Sequence, residues 1–295
     1  MQLRSVELQV ADRIEATKFM TASWGLIEVV TRNHTTFLRG SASLPYIISL
    51  KQGQSQELLS VTLTGNLSEI KGVWQFLENS QLQKSNWIDH FDEPGQGCGF
   101  KVQGLFGETF RFIAESDPPP AEFEANDSMP IRLAHVVLNS PDLHQSSQSL
   151  ADSFGFRVTD RTKNIHFVGC NELHHVIAFA ASESKRSLHH IAFELPTAES
   201  VLKGMGRLKD AGCPWIWGPG RHGPGNNVFA YFMAPFGACI EYTSEISRID
   251  DSYPVGTPDS WTWPEGRNDQ WGIATRNPEK LKATSEAFPF AVVDF

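Results

Sequence analysis

Three polar side chains that could do chemistry lie close together in the stretch GPGRHGPGNNVFAYFMAPFGACIEYTSE. His222 stands in its glycine-rich beginning, Tyr231 in the apolar run that follows, and Glu241 where an apolar residue would fit the pattern. Imidazole, phenol and carboxylate groups bind metals, transfer protons and hydrogen-bond to substrates. The three residues therefore form a candidate site if the fold brings them together.

The elements that carry Tyr231 and Glu241 are predicted to form a β-hairpin. The segment APFGA contains the Pro and Gly typical of a tight turn, centred near Phe236. Pairing across this turn sets Tyr231 opposite Glu241, with both side chains on the same face. No basic residue lies nearby in the sequence, and a buried carboxylate needs a charge partner or a metal.

An internal repeat brings two histidines to equivalent positions. LAHVVLNSPDL resembles LHHIAFELPTA, and this alignment sets His135 against His190. Because alternate side chains of a strand face opposite ways, His190 and its neighbour His189 are predicted on opposite faces. A single strand histidine is more often a hydrogen-bonded core residue than a ligand. At repeat-equivalent positions, however, His135 and His190 with Glu241 make the two-histidine, one-carboxylate ligand set of non-haem Fe(II) sites.

The chain is predicted to have an α+β fold of two domains, each built from two βαβββ modules. In the second half, each repeat opens with a strand and continues into a helix that starts near a proline. The first half shows a fainter version of the same pattern, at VELQVAD and LLSVTLTGNLSE. An acidic, proline-rich stretch separates the halves and is typical of a linker. The predicted divisions are a metal-free amino-terminal domain, a linker, a metal-binding domain and a carboxyl-terminal extension, at 1–114, 115–130, 131–245 and 246–295.

Composition excludes several classes of partner. The 295 residues carry a formal net charge of -9, which argues against nucleic acid because such binding depends on lysine and arginine. No apolar run approaches the length of a membrane span or a signal peptide, so we predict a cytoplasmic protein with no membrane partner. Four scattered cysteines suggest neither a disulfide framework nor a zinc knot.

On these residues the second half resembles the type I extradiol ring-cleaving dioxygenases, of the catechol 2,3-dioxygenase type, in the vicinal oxygen chelate superfamily. The family signature joins G-x-H, a Tyr, a P-x-G turn and a Glu. This sequence matches it with GRH at 220–222, Tyr231, APFG at 234–237 and Glu241. Ala230 departs from the pattern, because a larger aliphatic residue usually precedes the Tyr.

The resemblance implies mixed sheets curled around a central cavity, and a reaction of O2 with a small aromatic diol. The ring would open at the bond next to the two adjacent hydroxyls. The cofactor would be Fe(II), with Mn(II) as an alternative, and the protein would be a homo-oligomer. The resemblance also assigns metal ligands, an acid-base residue and two residues that hydrogen-bond the substrate oxygens: His135, His190 and Glu241; His175; and His222 and Tyr231.

The first half, His174 and the carboxyl-terminal tail have no assigned part in this site. In the first half the ligand positions align with Glu7, Ser60 and Arg111, where an ion pair between Glu7 and Arg111 could replace the metal. His174, beside His175, matches no family position and is expected on an outward face. The tail DSWTWPEGRNDQWG either closes over the mouth of the site or anchors the extension to the domain or to another subunit.

Two other functions remain open on the same fold. A glyoxalase or epimerase would use a divalent metal without O2, typically with four protein ligands. A non-catalytic protein that binds aromatic ligands would lack the metal triad altogether.

Overall fold

The protein is described from a computed structural model that covers residues 1–122 and 129–293. The first half contains seven strands and two helices: β1 (Gln2–Val10), α1 (Arg13–Ala22), β2 (Ile27–Arg32), β3 (Thr35–Arg39), β4 (Ile48–Gln52), β5 (Glu57–Thr64), α2 (Leu67–Phe76), β6 (Cys98–Gln103) and β7 (Thr109–Ala114). A short 3-10 turn, Leu77–Asn79, follows α2.

The second half repeats this plan at greater length. Its two modules contain β8 (Arg132–Ser140), α3 (Leu143–Phe154), β9 (Arg157–Arg161), β10 (Ile165–Gly169), β11 (Ile177–Ala181), β12 (Ser187–Glu194), α4 (Ala198–Asp210), β13 (Trp215–Arg221), β14 (Val228–Met233) and β15 (Cys239–Ser244). The extension adds a 3-10 turn at Pro258–Ser260, then β16 (Thr275–Arg276), α5 (Pro278–Ser285) and β17 (Phe288–Pro289).

The strands form two mixed sheets. The first has the order β2-β3-β4-β1-β5-β7-β6, and the second runs β16-β13-β14-β15-β12-β8-β11-β10-β9, with β17 paired to β12. In each sheet the opening strand has the same neighbours: β1 pairs in parallel with β4 and antiparallel with β5, as β8 does with β11 and β12. The predicted α+β architecture of repeated modules is confirmed by this pairing.

Each module helix begins at a polar residue whose side chain accepts an amide N–H of the first turn. These N-caps are Asp12, Asn66, Asp142 and Thr197. Such caps satisfy backbone donors that the helix itself leaves unpaired. The same signal therefore starts the same element in all four modules.

The second module departs from the predicted βαβββ pattern. Between α2 and β6, residues 81–97 make two isolated bridges, Lys84 to Val102 and Ile88 to Gly99, where a strand was expected. This segment is polar and contains Pro94, Gly95 and Gly97, which weaken strand pairing.

One hydrophobic core runs through both halves. Trp24, just after α1, stacks on Tyr242 of β15 with ring centroids 3.8 Å apart. The Tyr242 hydroxyl donates to the backbone carbonyl of Trp24 at 2.5 Å. The two halves are thus packed together, and the domain boundaries stay a prediction. Residues 123–128 of the predicted linker lie outside the described residues.

The second sheet curls around its own centre. Gly225, in the β13–β14 loop, lies against His175 in the β10–β11 loop, so close that an added Cβ would meet the imidazole at 3.0 Å. Four strand-to-strand steps separate β14 from β11, a distance of about 19 Å in a flat sheet. Contact between these loops therefore requires strong curvature. Within the described residues, no helix is long and apolar enough to cross a membrane.

Candidate metal centre and its surroundings

A continuous row of paired residues crosses the middle of the second sheet. His135 of β8 pairs with Ala192 of β12, and Ala192 also pairs with Glu241 of β15. Glu241 in turn pairs with Tyr231 of β14, which confirms the hairpin register predicted from the turn. Directly paired side chains share a face, and His190, two residues before Ala192, shares it too. Ala192, which carries only a methyl group, thus lies between His135 and Glu241 in this row.

The three predicted ligands lie together at the centre of this row. His135 Nε2 is 3.3 Å and His190 Nε2 is 3.2 Å from Oε2 of Glu241. One ligand atom from each residue falls within 4.8 Å of the other two, and all three side chains are buried. Among the described residues this is the group of three histidine, cysteine or acidic side chains that could hold a metal ion.

The chemistry of Glu241 fits a divalent metal. Neither imidazole is aligned for a hydrogen bond, so both carboxylate oxygens are buried without a donor. Burial by itself raises the pKa of Glu241, but His135 and His190 outweigh it and hold the pKa below its usual range. The group is therefore a charged carboxylate with unused lone pairs, a state that a bound cation stabilises.

His190 is oriented by its neighbour through a β-bulge. His189 has no partner in the pairing of β12 with β8, and the extra residue turns its ring toward His190, with the two Nδ1 atoms 2.7 Å apart. The prediction that His189 faces away from His190 is thus wrong, because the bulge breaks the strand alternation. Burial lowers the pKa of both rings and favours their neutral forms. The Nδ1–H of one neutral ring can then donate to the other, and Nε2 of His190 remains directed at Glu241.

His175 lies beside the proposed ligands. Its ring centroid is 4.4 Å from that of His135 and 4.9 Å from that of Phe167. Burial, and after it the neighbouring imidazoles, lowers the pKa of His175 well below its ordinary value. The ring is therefore neutral near pH 7 and can accept a proton.

The expectation that His174 points outward is wrong. His174 is fully buried, with Nδ1 2.9 Å from Nδ1 of His175 and Nε2 2.7 Å from Oδ2 of Asp160. It lies in the loop between β10 and β11, where strand alternation does not apply. The second half therefore holds two His-His pairs joined in the same way, through their Nδ1 atoms.

Tyr231 lies beside His190, and His222 lies beside Glu241. The Tyr231 hydroxyl is 3.1 Å from Nε2 of His222 and 3.5 Å from Nε2 of His190. Burial raises the pKa of Tyr231 well above its ordinary value and lowers the pKa of His222 to about 4. Both side chains are thus neutral near pH 7, and the phenol keeps its proton for donation.

Aromatic rings form the wall behind these two side chains. Trp217 stacks on Tyr231 with centroids 5.1 Å apart, and Phe229 stacks on His222 at 3.9 Å. Such apolar surroundings exclude water and strengthen hydrogen bonds inside the site. Ala230, the departure from the family pattern, pairs instead with Tyr242, so it affects core packing.

The extension lies against the loop that carries His222. Gln270 donates to the backbone carbonyl of His222 at 2.5 Å, and Gly223 is in contact with the indole rings of Trp261 and Trp263. Arg221, next to His222, lies over the ring of Trp271. Three tryptophans of the tail thus hold one edge of the site.

The equivalent position in the first half holds an ion-pair cluster. Arg111 bonds Oε2 of Glu7 at 3.1 Å, and the Ser60 hydroxyl donates to the same oxygen at 2.9 Å. The predicted pair of Glu7 with Arg111 is therefore observed. Arg111 also bonds Glu93, where Arg111 and Arg4 outweigh the effect of burial and lower the pKa of Glu93 to about 2.

Sequence reasoning missed Asp160 and the contact between His189 and His190. Asp160 lies in another strand, fourteen residues before His174, and no local motif links them. The strand alternation that placed His190 also places Ala192 on the same face, where it pairs with His135 and Glu241.

Comparison with known proteins identifies the domain that holds this cluster. Residues 132–242 match the Glyoxalase/Bleomycin resistance protein/Dioxygenase superfamily. The chain is 31% identical to Metapyrocatechase 2 of Cupriavidus necator over 198 residues, 66% of this chain and 57% of that protein. It is 28% identical to Biphenyl-2,3-diol 1,2-dioxygenase of Metapseudomonas furukawaii, over 52% of this chain and 50% of that one. The chain thus spans about half the length of these curated relatives.

Solved structures match over nearly the whole chain. The Mn(II)-bound glyoxalase of Novosphingobium aromaticivorans superposes with a TM-score of 0.87 at 28% identity, covering 95% of this chain and 93% of that one. Homoprotocatechuate 2,3-dioxygenase of Arthrobacter globiformis gives 0.86 at 19% identity, covering 100% and 96%, and shows the shared fold. Residues 132–242 are therefore a domain of the Glyoxalase/Bleomycin resistance protein/Dioxygenase superfamily, within a chain that has the vicinal oxygen chelate fold.

Proposed function

We propose that this protein is an extradiol dioxygenase, which uses O2 to cleave a catechol-type aromatic diol beside its two hydroxyls. The observation that carries the proposal is the buried set of His135, His190 and Glu241, with His175 next to it and Tyr231 opposite Glu241. The named activities of the curated relatives support the same reaction class. The panel of diols described below would show which ring substituents the protein accepts.

In this proposal His135, His190 and Glu241 hold a divalent metal, either Fe(II) or Mn(II). Bound Fe(II) would supply the redox chemistry that O2 requires, and it would lower the pKa of a diol hydroxyl. A set of three protein ligands would leave coordination positions of the metal open for small molecules. Glu241 would supply the single negative charge, because a histidine that binds a metal does so as the neutral imidazole.

The surrounding side chains would bind the diol and move its proton. A neutral His175 would take a hydroxyl proton and later return it, as a general base and then a general acid. Tyr231 would donate a hydrogen bond to a substrate oxygen, with His222 3.1 Å behind its hydroxyl. Trp217 and Phe229 hold these two donors in place by stacking.

The domain divisions and the cytoplasmic location remain predictions, as does a homo-oligomeric assembly. In the proposed arrangement the first half serves as a scaffold in which the Glu7–Arg111 pair occupies the ligand positions. The extension would act as a lid through its contacts with Gly223 and with the carbonyl of His222.

The test is O2 uptake by the protein loaded with Fe(II) under anaerobic conditions. Catechols with different ring substituents are added, O2 is admitted, and the oxygen consumed and the yellow ring-opened product are measured. His135→Ala serves as the inactive control. Absence of both signals across the panel would reject the proposal.

A glyoxalase-type reaction is the second candidate, since the Mn(II)-bound glyoxalase matches nearly the whole chain. It predicts that the metal-loaded protein converts a thiohemiacetal without consuming O2. The third candidate, a non-catalytic binding protein, predicts that the purified protein binds an aromatic ligand yet holds neither iron nor manganese. Metal analysis and the two assays separate the three functions.

A further inference from the structure

Three buried residues form a hydrogen-bonded chain that ends at His175. Oδ2 of Asp160 is 2.7 Å from Nε2 of His174, and Nδ1 of His174 is 2.9 Å from Nδ1 of His175. Asp160 and His174 are fully buried and His175 is 2% exposed. No hydrogen bond to Nε2 of His175 is found among the described residues.

Asp160 is held as an acceptor at both of its oxygens. Oδ1 accepts the amide N–H of Gly256 at 2.6 Å, and Oδ2 accepts the hydroxyl of Tyr253 at 3.0 Å. Both donors belong to the carboxyl-terminal extension. Since both oxygens of Asp160 act as acceptors, the proton of its hydrogen bond with His174 is assigned to Nε2 of the imidazole.

The positions of the protons on His174 and His175 follow from the hydrogen bonds between them. A neutral imidazole carries one N–H, so His174 with its proton on Nε2 presents a lone pair at Nδ1. The short contact with His175 then requires that Nδ1 of His175 carry the proton. In a neutral His175 this leaves Nε2 unprotonated.

We propose that Asp160, acting through His174, fixes the tautomer of His175 so that Nε2 is its proton-accepting atom. This proposal rests on the proposed function, in which His175 takes a proton from the diol. Asp160 and His174 are thus positioning residues, and His175 is the catalytic residue. The extension contributes as well, because Tyr253 and Gly256 orient the carboxylate.

The substitution Asp160→Asn tests the proposal, because it should reverse the direction of the hydrogen bonds that link residue 160, His174 and His175. The amide N–H of Gly256 requires an acceptor, so the side-chain oxygen of Asn stays at that position and its NH2 group faces His174. Because this NH2 group donates a hydrogen bond to Nε2 of His174, the proton of His174 must lie on its Nδ1. That Nδ1–H then donates to Nδ1 of His175. The proton of His175 consequently moves to Nε2.

Nitrogen-15 NMR of histidine-labelled protein reads these tautomers directly, in the diamagnetic zinc-substituted form. Signals of His175 are assigned by their loss in His175→Gln. We expect Nδ1 of His175 to be protonated in the wild type and Nε2 in Asp160→Asn. Tyr253→Phe, which removes a donor from Asp160 without reversing its polarity, is the matched control and should keep the wild-type tautomer.

The wild-type spectrum decides the proposal even if the variant does not fold. A proton on Nε2 of His175 in the wild type overturns it, as does an unchanged tautomer in folded Asp160→Asn. In the Fe(II)-loaded enzyme, Asp160→Asn should lower kcat by about a hundredfold or more while the Kd for catechol is unchanged, because proton transfer is affected and binding is not.

Failure of the proposed function gives a different pattern. If the wild type cleaves no diol, the NMR result still reports whether Asp160 sets the tautomer. If the wild type is active and Asp160→Asn retains its kcat with the tautomer reversed, the role of His175 as the proton acceptor is rejected. The reversed tautomer would still support the hydrogen-bonded link from Asp160 through His174 to His175.

Discussion

Ala192 lies directly opposite Glu241 in the parallel pair of β12 and β15, and the antiparallel strand on its other side places His135 opposite the same alanine. The smallest side chain of the row thus stands between two proposed metal ligands. The space for an ion depends on a residue that contributes no ligand atom.

Enlarging this side chain should empty the metal centre. Ala192→Leu places extra methyl groups between His135 and Glu241, and we expect metal content to fall to about a tenth of the wild-type value or less. Metal is measured by elemental analysis, with circular dichroism to check folding. Ala192→Gly, which adds no atoms, should keep its metal; loss of metal in this control would contradict the explanation by size.

Removing the charge of Glu241 should weaken metal binding while its shape is kept. Glu241→Gln is expected to lower the affinity for Fe(II) or Mn(II) by at least about a hundredfold, since even outer partners of a ligand have effects near that size. Added metal should raise the Tm of the wild type and leave the variant unchanged. Glu194→Gln, on the neighbouring strand β12 and paired with Arg132, is the control expected to behave as the wild type.

The ion-pair cluster of the first half should matter for stability. Arg111→Met leaves Glu7 without its arginine partner and Glu93 with one fewer, and we expect a loss of about 3–5 kcal/mol in the free energy of unfolding. Urea denaturation measures this loss. The double variant Glu7→Gln/Arg111→Met should regain part of it, whereas Arg157→Met at an exposed pair should change little.

Glu108 should make stability fall as pH rises. Burial raises its pKa from 4.5 to about 7 in the folded protein. Below pH 4.5 the group is protonated in both states, and between pH 4.5 and 7 only the folded state keeps the proton, so the folded state loses relative stability. The free energy of unfolding of Glu108→Gln, relative to that of the wild type, should therefore rise by about 3 kcal/mol between pH 4.5 and pH 8. Urea denaturation at both pH values tests this, and the exposed Glu199→Gln should show no such difference.

The contact of the extension with the His222 loop should restrain that loop. Gln270→Ala removes donors to the carbonyl of His222 and to Asn226, and we expect amide exchange in residues 222–227 to accelerate about fivefold. Hydrogen exchange followed by mass spectrometry measures the change. Gln148→Ala, on the surface of α3, should leave exchange in this loop unaltered.

The sequence by itself determined the relationships that depend on short-range patterns. The turn APFGA set the register of Tyr231 with Glu241, and the repeat gave His135 and His190 equivalent places in equivalent strands. The same repeat predicted the pair of Glu7 with Arg111. These inferences hold because strand alternation and turn geometry are local properties.

Only the tertiary structure decided how the histidines are oriented. The bulge at His189 depends on how two strands from different modules align, and the burial of His174 depends on Asp160 and on a tail far away in the chain. The curvature that brings Gly225 against His175 is a property of the whole sheet. Such features arise from contacts between segments that are distant in the sequence. The native state is the one in which all these contacts are favourable together, and no short sequence pattern reports them.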